Sequence, residues 1–148
     1  MRQMNTALRD ALASLPHGPE FRFLDQLVSL TPGVESTATY RIMGEEAFLA
    51  GHFPGNPMMP GVILIEAIAQ LGGVVVQTDR EKPPMSELRL TGVRAAKIFG
   101  AAIPGDLLEI RARVEGRLGG LAQIEGDVRG PGGILATARI TLSGTVSG

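Results

Sequence analysis

One histidine and one glutamate stand fourteen residues apart on either side of a turn rich in proline and glycine. They are His52, in the segment GHFPG, and Glu66, in an otherwise apolar run. Histidine titrates near neutral pH, which makes His52 the default candidate for a general base. Apolar surroundings disfavour the charged form of a carboxyl group, which suits Glu66 as a general acid. For Glu66 the open alternatives are a structural carboxylate paired with an arginine and a partly exposed edge of the helix. For His52 the alternative is an ordinary surface or core residue.

Two further residues around this turn could assist such chemistry. Pro60 suits the first position of a helix, because its missing N–H would have no partner there. The N–H of Gly61, which follows, would then be an unpaired donor able to hold an oxygen on which charge develops. Gln70 lies four residues after Glu66 and shares its helical face. Plain turn geometry and a structural hydrogen bond are the alternative roles of Gly61 and Gln70.

The remaining candidates carry weaker signals. We expect His17 to be a structural residue at the end of the first helix, where a histidine interacts favourably with the negative end of the helix dipole. Two histidines, no cysteine and no acidic cluster at ligand spacing predict no metal site. The glycine pairs lack the context of a phosphate-binding loop, so no cofactor is predicted.

Charge and hydropathy limit the classes of partner. The chain of 148 residues has 14 basic and 15 acidic residues and no block of like charge, which argues against a nucleic-acid partner. The longest apolar run, residues 62–76, is interrupted by Glu66, Gln70 and two glycines, and therefore does not predict a membrane span. The first residues have no apolar core of a signal peptide. We expect a soluble, cytoplasmic protein with one domain over residues 1–148.

The elements that must position these residues follow from hydrophobic periodicity. An amphipathic first helix is predicted to end before Pro16, and one long apolar helix is predicted from Pro60 to about Thr78. Alternating patterns and glycine-marked turns predict antiparallel strands at residues 21–30, 34–42, 107–118, 121–129 and 134–142, with Leu108 and Leu118 both facing inward. A helix that is apolar on nearly every side must be covered all round. These patterns predict an α+β fold in which a curved antiparallel sheet wraps around one central helix, with a dimer covering whatever remains open.

The segment GHFPGNPMMPGVILIEAIAQ resembles the bacterial 3-hydroxyacyl-[acyl-carrier-protein] dehydratases of the FabZ type, which have the hotdog fold. The family pattern is GHFPG-x-P-x-MPGV followed by E-A-x-A-Q. Weaker similarity in LPHGPEFRFLD, EEAFLAGHF and IPGDLLEI extends the resemblance over nearly the whole chain. It implies conversion of (3R)-3-hydroxyacyl thioesters to trans-2-enoyl thioesters without a cofactor.

The resemblance also implies a role for each residue of the motif. His52 would remove the C2 proton, Glu66 would help the 3-hydroxyl group to leave, and the Gly61 N–H would hold the thioester carbonyl. Gln70 would orient Glu66 or a water molecule. A glutamate rather than an aspartate at position 66 favours dehydration without isomerisation of the double bond. Four flanking residues complete the predicted substrate-binding set: Phe53, Met59, Pro60 and Val62.

The partners implied by the resemblance are an acyl carrier protein and a second copy of the chain. The active sites would be shared between the protomers of a homodimer, with a trimer of dimers as a further option. Where the family usually has a basic F-R-R-P run, this chain has IFGAAIPGD, and Arg94 and Lys97 are the nearby basic residues left to dock a carrier. Arg89 is an unexpected charge in a strand that we expect to be half-buried.

These departures indicate a divergent member, serving a specialised acyl or polyketide pathway. Two alternatives stay open. One is a non-catalytic module that binds acyl thioesters, and the other is a hotdog thioesterase, which does not need the histidine of GHFPG.

Overall fold

The structure, a computed structural model, describes the backbone of residues 2–146 and the side chains of residues 6–146. It contains helices α1 (Arg2–Ala13) and α2 (Gly61–Gln77) and short 3-10 helices at Pro19–Phe21 and Ala47–Leu49. The strands are β1 (Gln26–Thr31), β2 (Glu35–Arg41), β3 (Met85–Ile98), β4 (Leu107–Leu118), β5 (Leu121–Gly130) and β6 (Gly133–Val146). They form one sheet in the order β1-β2-β4-β5-β6-β3, and every neighbouring pair is antiparallel.

Helix α2 is the centre of the core, as predicted. Eleven of its 17 residues are buried, against β2, β4, β5 and β6. The sheet approaches the helix closely at Gly126, where a side-chain carbon would lie 2.6 Å from Cγ2 of Ile68 and would also collide with the carbonyl of Arg111. Only glycine permits this approach of helix to strand. The prediction of an antiparallel sheet around one long helix, preceded by an N-terminal helix, is confirmed.

The beginning of α2 differs slightly from the prediction. Pro60 occupies the cap position, with φ −55° and ψ 136°, and the helix starts at Gly61. Pro60 is therefore extended rather than helical, which places the first free N–H of the helix on Gly61.

The predicted first strand is shorter than expected. Phe21 belongs to the 3-10 helix Pro19–Phe21, and β1 starts only at Gln26. The backbone at Phe21 and Phe23 bonds to a side chain of α2, Gln70, instead of to a neighbouring strand. This contact removes the segment from the sheet.

The alternation of β4 inverts near its end. The register shifts between Val114 and Gly116, so one strand has an extra residue there. Beyond this bulge Arg117 turns inward, near Asp79 at 4.0 Å, and Leu118 is 83% exposed. The prediction that Leu118 faces inward is wrong, because one inserted residue moves every later side chain to the other face.

Strand β3 is the free edge of the sheet next to β6. From Thr91 to Ile98, all of its residues but Gly92 are exposed. Arg89 also lies in this strand, between the partly buried Leu88 and Leu90, and its side chain is on the exposed face of the strand. No helix in the part of the chain that the structure describes is long and apolar enough to cross a membrane.

A hydrogen-bonded carboxylate holds the end of β2 to the segment that leads to His52. The hydroxyl group of Tyr40 donates to Oε2 of Glu46 at 3.1 Å, and the N–H groups of Met43 and Gly44 donate to the same carboxylate at 2.9 and 2.8 Å. Burial opposes ionisation, but these hydrogen bonds outweigh it and lower the pKa of Glu46. Burial, reinforced by the charge of Glu46, raises the pKa of Tyr40.

The lowered pKa of Glu46 predicts a loss of stability in acid. Because the folded state favours the carboxylate, its contribution is present above the pKa of the unfolded chain and disappears as the pH falls through the folded value. We expect Glu46→Gln to be less stable than the wild type at neutral pH and to lose less stability between about pH 5 and pH 3. Urea unfolding across this range measures both effects. The exposed neighbour Glu45, changed to Gln, is the control and should follow the wild type.

Candidate active site

Glu66 lies on the one face of α2 that the sheet does not cover completely. Its side chain is 21% exposed, in a helix whose other large residues are mostly buried. Beyond the first three residues of the helix, which are all at least partly exposed, the partly exposed positions are Glu66, Gly73 and Gln77, and they share one helical face with Val62. This open stripe is where a ligand can reach the helix.

The amide of Gln70 fixes the position of Glu66. Gln70 is only 2% exposed. Its Oε1 accepts a hydrogen bond from the N–H of Phe23 at 2.9 Å, and its Nε2 donates to the carbonyl of Phe21 at 2.9 Å. These two backbone partners determine which end of the amide is oxygen and which is nitrogen. The second hydrogen of Nε2 is therefore directed at Oε2 of Glu66, at 3.1 Å.

His17 approaches the same carboxylate oxygen, which the sequence did not predict. Its Nε2 lies 3.6 Å from Oε2 of Glu66, and its Nδ1 is buried with no hydrogen-bond partner among the described residues. Helix α1 already ends at Ala13, so the expected place of His17 at a helix end is wrong. A signal was present: like His52, His17 stands beside glycine and close to proline, in a segment where the backbone is stiff.

These contacts give the two oxygens of Glu66 different surroundings. Gln70 and His17 both approach Oε2, whereas Oε1 has no hydrogen-bond partner in the described part of the chain. A protonated carboxyl group has one oxygen that only accepts and one that carries the proton. Because Gln70 donates to Oε2 and His17 lies near the same atom, Oε1 is the oxygen left free to contact a ligand.

His52 is held in a single tautomer by its own loop. Its Nδ1 lies 3.0 Å from the carbonyl oxygen of Met58, which can only accept a hydrogen bond. Nδ1 therefore carries the hydrogen, and Nε2 of the neutral ring keeps the lone pair that a base requires. The ring of Phe53, half exposed, stacks on His52 with 4.2 Å between centroids. Backbone hydrogen bonds between Phe53 and Asn56 close the turn that carries both rings.

The other predicted residues surround the beginning of α2. Met59 is 1% exposed and its N–H bonds to the carbonyl of Ala102 at 2.8 Å, so it lies in the core. Val62 is 73% exposed. Ile98 of β3 lies close to Gly61, since a side-chain carbon at position 61 would overlap Cδ1 at the end of the Ile98 side chain. Its N–H is one of those that an α-helix leaves without an internal acceptor.

A cavity of about 640 Å³ extends along the open stripe of α2. The floor contains Glu66, Ala69, Gln70, Gly73 and Gln77. The walls come from the loop after α1, including His17, and from residues 87–90 of β3.

His52 is not among the residues that line this cavity. Within one chain, the structure therefore brings together Glu66, Gln70 and His17 around the cavity, while His52 and Gly61 lie outside it. No group of three or more His, Cys, Asp or Glu side chains in the described residues could hold a metal ion.

Comparison with known proteins gives concordant results for family and fold. The family model described as FabA-like domain matches residues 15–139. The 3-hydroxyacyl-[acyl-carrier-protein] dehydratase FabZ of Oleidesulfovibrio alaskensis is 35% identical over 137 residues, which are 92% of this chain and 89% of that protein. The FabZ of Myxococcus xanthus is 35% identical over 135 residues, 86% of this chain and 88% of its own.

Solved structures share the fold at lower identity. A chain of the dehydratase heterocomplex ApeI:P from Xenorhabdus doucetiae has a TM-score of 0.75 at 22% identity, covering 93% of this chain and 90% of that one. Zebra fish thioesterase superfamily member 2 has a TM-score of 0.70 at 17% identity, covering 95% and 96%. The predicted hotdog fold is confirmed.

Removing the amide of Gln70 should destabilise the protein. In Gln70→Leu the side chain keeps its volume, but the buried N–H of Phe23 and the partly buried carbonyl of Phe21 lose their hydrogen-bond partner. We expect a loss of about 2 kcal/mol or more in the free energy of unfolding, measured in urea. Gln123→Leu is the matched control, because Gln123 bonds only to the side chains of Arg94 and Thr141 near the surface. Equal losses of stability in the two variants would contradict the conclusion that the buried hydrogen bonds of Gln70 stabilise the fold.

Proposed function

The chain belongs to the FabA-like family, and from this premise we propose that it dehydrates (3R)-3-hydroxyacyl thioesters carried by acyl carrier protein, yielding trans-2-enoyl thioesters. The observation that carries the proposal is the arrangement at Glu66, where Gln70 and His17 approach Oε2 and leave Oε1 to a substrate. The names of the FabZ relatives supply the substrate class.

His52 takes the C2 proton in this proposal. That proton is only weakly acidic, so its removal needs a base together with stabilisation of the charge that moves to the thioester oxygen. The contact of Nδ1 with the Met58 carbonyl supports the role, because it leaves Nε2 as the acceptor. The N–H of Gly61, at the positive end of α2, holds the thioester oxygen.

Glu66 completes the reaction as the acid. The electron pair of the broken C2–H bond forms the C2–C3 double bond, the C3–O bond breaks, and the hydroxyl group takes the proton from Oε1 and leaves as water. The reaction ends with an imidazolium at His52 and a carboxylate at Glu66. Return of one proton from His52 to Glu66, directly or through water, restores the enzyme.

Within one chain His52 does not line the cavity that contains Glu66, and a homodimer can bring the base of one chain to the acid of the other. Strand β3 is a 14-residue edge with the exposed side chains of Val93 and Ile98, and the exposed Phe99 follows directly after it. A long apolar edge is a template for pairing with another strand. Pairing of β3 with the same strand of a second copy is isologous and antiparallel. It covers the β3 edge of each protomer in a single interface.

The position of this edge supports a shared site. Ile98 of β3 lies against Gly61, so a dimer formed along β3 places the partner chain beside the beginning of α2. We therefore propose that each active site combines His52 of one protomer with Glu66 of its partner. The cavity along α2 then receives the acyl chain.

Loss of either proton-transfer group should abolish turnover. We expect His52→Ala and Glu66→Gln each to lower kcat/KM for hydration of crotonyl thioesters by about a hundredfold to ten-thousandfold. Loss of enoyl absorbance measures the rate, with carrier-protein and coenzyme A substrates side by side. Thermal unfolding of both variants controls for folding.

The outcomes of this assay separate the alternatives. A binding module is indicated if the wild type binds acyl thioesters but converts none of them, on either carrier and at any chain length. Release of free thiol from acyl thioesters, retained in His52→Ala, would indicate a thioesterase.

Mixing the two inactive variants tests the shared site. If His52 and Glu66 act across the dimer, half of the randomly reassociated dimers are mixed, and each of these has one intact site of two. About a quarter of the wild-type activity should then return. If both residues act within one chain, no chain in the mixture has an intact pair and activity stays at the level of the separate variants. Reassociation is checked by mass spectrometry of differently tagged chains.

A further inference from the structure

We propose that the cavity along α2 measures the acyl chain, with Gly73 keeping its middle open and Gln77 closing its far end. This inference rests on the proposed function and deepens it, because it assigns to two residues of α2 the choice between shorter and longer acyl chains. Four observations carry it: the order of residues along the cavity, the space at Gly73, the fixed position of Gln77 and the polar character of the far end.

The lining residues of α2 follow one another along the helix axis. At a rise of 1.5 Å per residue, Gly73 lies about 10 Å and Gln77 about 16 Å beyond Glu66. Strand β3 runs beside this face, since Met85 bonds to Gln77 and Leu88 lies opposite Gly73. An acyl chain whose C3 atom is at Glu66 and which enters the cavity must therefore pass Gly73 before it reaches Gln77.

Packing does not explain the glycine at position 73. A side-chain carbon there would have one neighbour, Cδ2 of Leu88 at 3.6 Å, which is an ordinary contact. The adjacent Gly72 differs, because a carbon there would press on Ile124 at 3.0 Å. Glycine in the interior of a helix is unfavourable relative to alanine. The space left at Gly73 is part of the cavity, and occupation by a ligand explains why it is kept.

The far end of the cavity is fixed and polar. The side chain of Gln77 donates to the carbonyl of Met85 at 2.5 Å and accepts from its N–H at 3.1 Å, which joins the end of α2 to the beginning of β3. Glu87 lines the cavity in the same region, with φ 54° at the bulge between Ser86 and Arg89.

The middle of the cavity is mostly apolar by contrast, with Ala69, Leu88, Leu90 and Leu142 in its lining and Arg89 as the one charged residue beside them. An apolar chain gains by displacing water from the four apolar residues. At the far end it meets the amide of Gln77, which Met85 holds in place, and the exposed carboxylate of Glu87, whose desolvation is costly. The change from apolar to polar lining therefore sets the upper limit of chain length.

The test is the chain-length profile of three variants. Hydration of crotonyl, octenoyl, dodecenoyl and hexadecenoyl thioesters on one carrier is compared between the wild type and Gly73→Leu. We expect Gly73→Leu to lower the ratio of the dodecenoyl rate to the crotonyl rate by about tenfold or more. Gly73→Ala should lie between them. Gln77→Leu, which makes the far end apolar, should increase the rate on hexadecenoyl thioester relative to crotonyl.

A matched control and a second readout keep the outcomes distinct. Gly116→Leu makes the same change at an exposed bulge with no neighbouring atoms, and its chain-length profile should equal that of the wild type.

The inference is overturned if folded Gly73→Leu loses the same fraction of its rate on every chain length, or loses no rate on any of them. Binding of butanoyl and dodecanoyl thioesters, measured by calorimetry, serves as readout without turnover. If the wild type is inactive, selective loss of dodecanoyl binding in Gly73→Leu still supports the measuring role, and unchanged binding refutes it.

Discussion

The buried amide of Gln70 is the interaction on which the site depends. An amide in a core must satisfy both its donor and its acceptor groups, because each unpaired polar group there is costly. Gln70 does so with the backbone at Phe21 and Phe23, and this fixes the orientation of the amide. The same contacts draw residues 19–23 out of the sheet and onto α2. That displaced segment closes one side of the cavity and brings His17 to Glu66.

The sheet is organised around what it leaves uncovered. Glycines at Gly72 and Gly126 let α2 and β5 approach one another, so most of the helix is sealed. Beyond the exposed Val62, the remaining stripe contains a carboxyl group, a glycine and an amide, at Glu66, Gly73 and Gln77. Polar or small side chains at these three positions reduce the apolar surface that the helix exposes to water.

Strand β3 serves both the cavity and the edge of the sheet. Its first half provides a wall of the cavity, through Leu88 and Leu90, and its second half is an exposed edge with Ile98 against Gly61. Bulges interrupt its pairing with β6 in three places. Because each bulge changes the direction of the strand, one continuous segment can bend from the cavity toward the beginning of α2.

Sequence by itself determined the class of fold, the central helix and the two glycine-marked hairpins, because hydrophobic period and turn residues are local properties of the chain. It also identified His52, Gly61, Glu66 and Gln70 as candidates, since their chemistry and spacing lie within one short segment. Only the tertiary structure decided that His17 belongs beside Glu66, that Leu118 is exposed and that Phe21 is outside the sheet. Each of these depends on a contact between distant segments or on one extra residue in a strand, and neither leaves a periodic signal. The separation of His52 from the cavity that Glu66 lines is of the same kind, because it depends on how distant segments pack and not on the short spacing of the two residues.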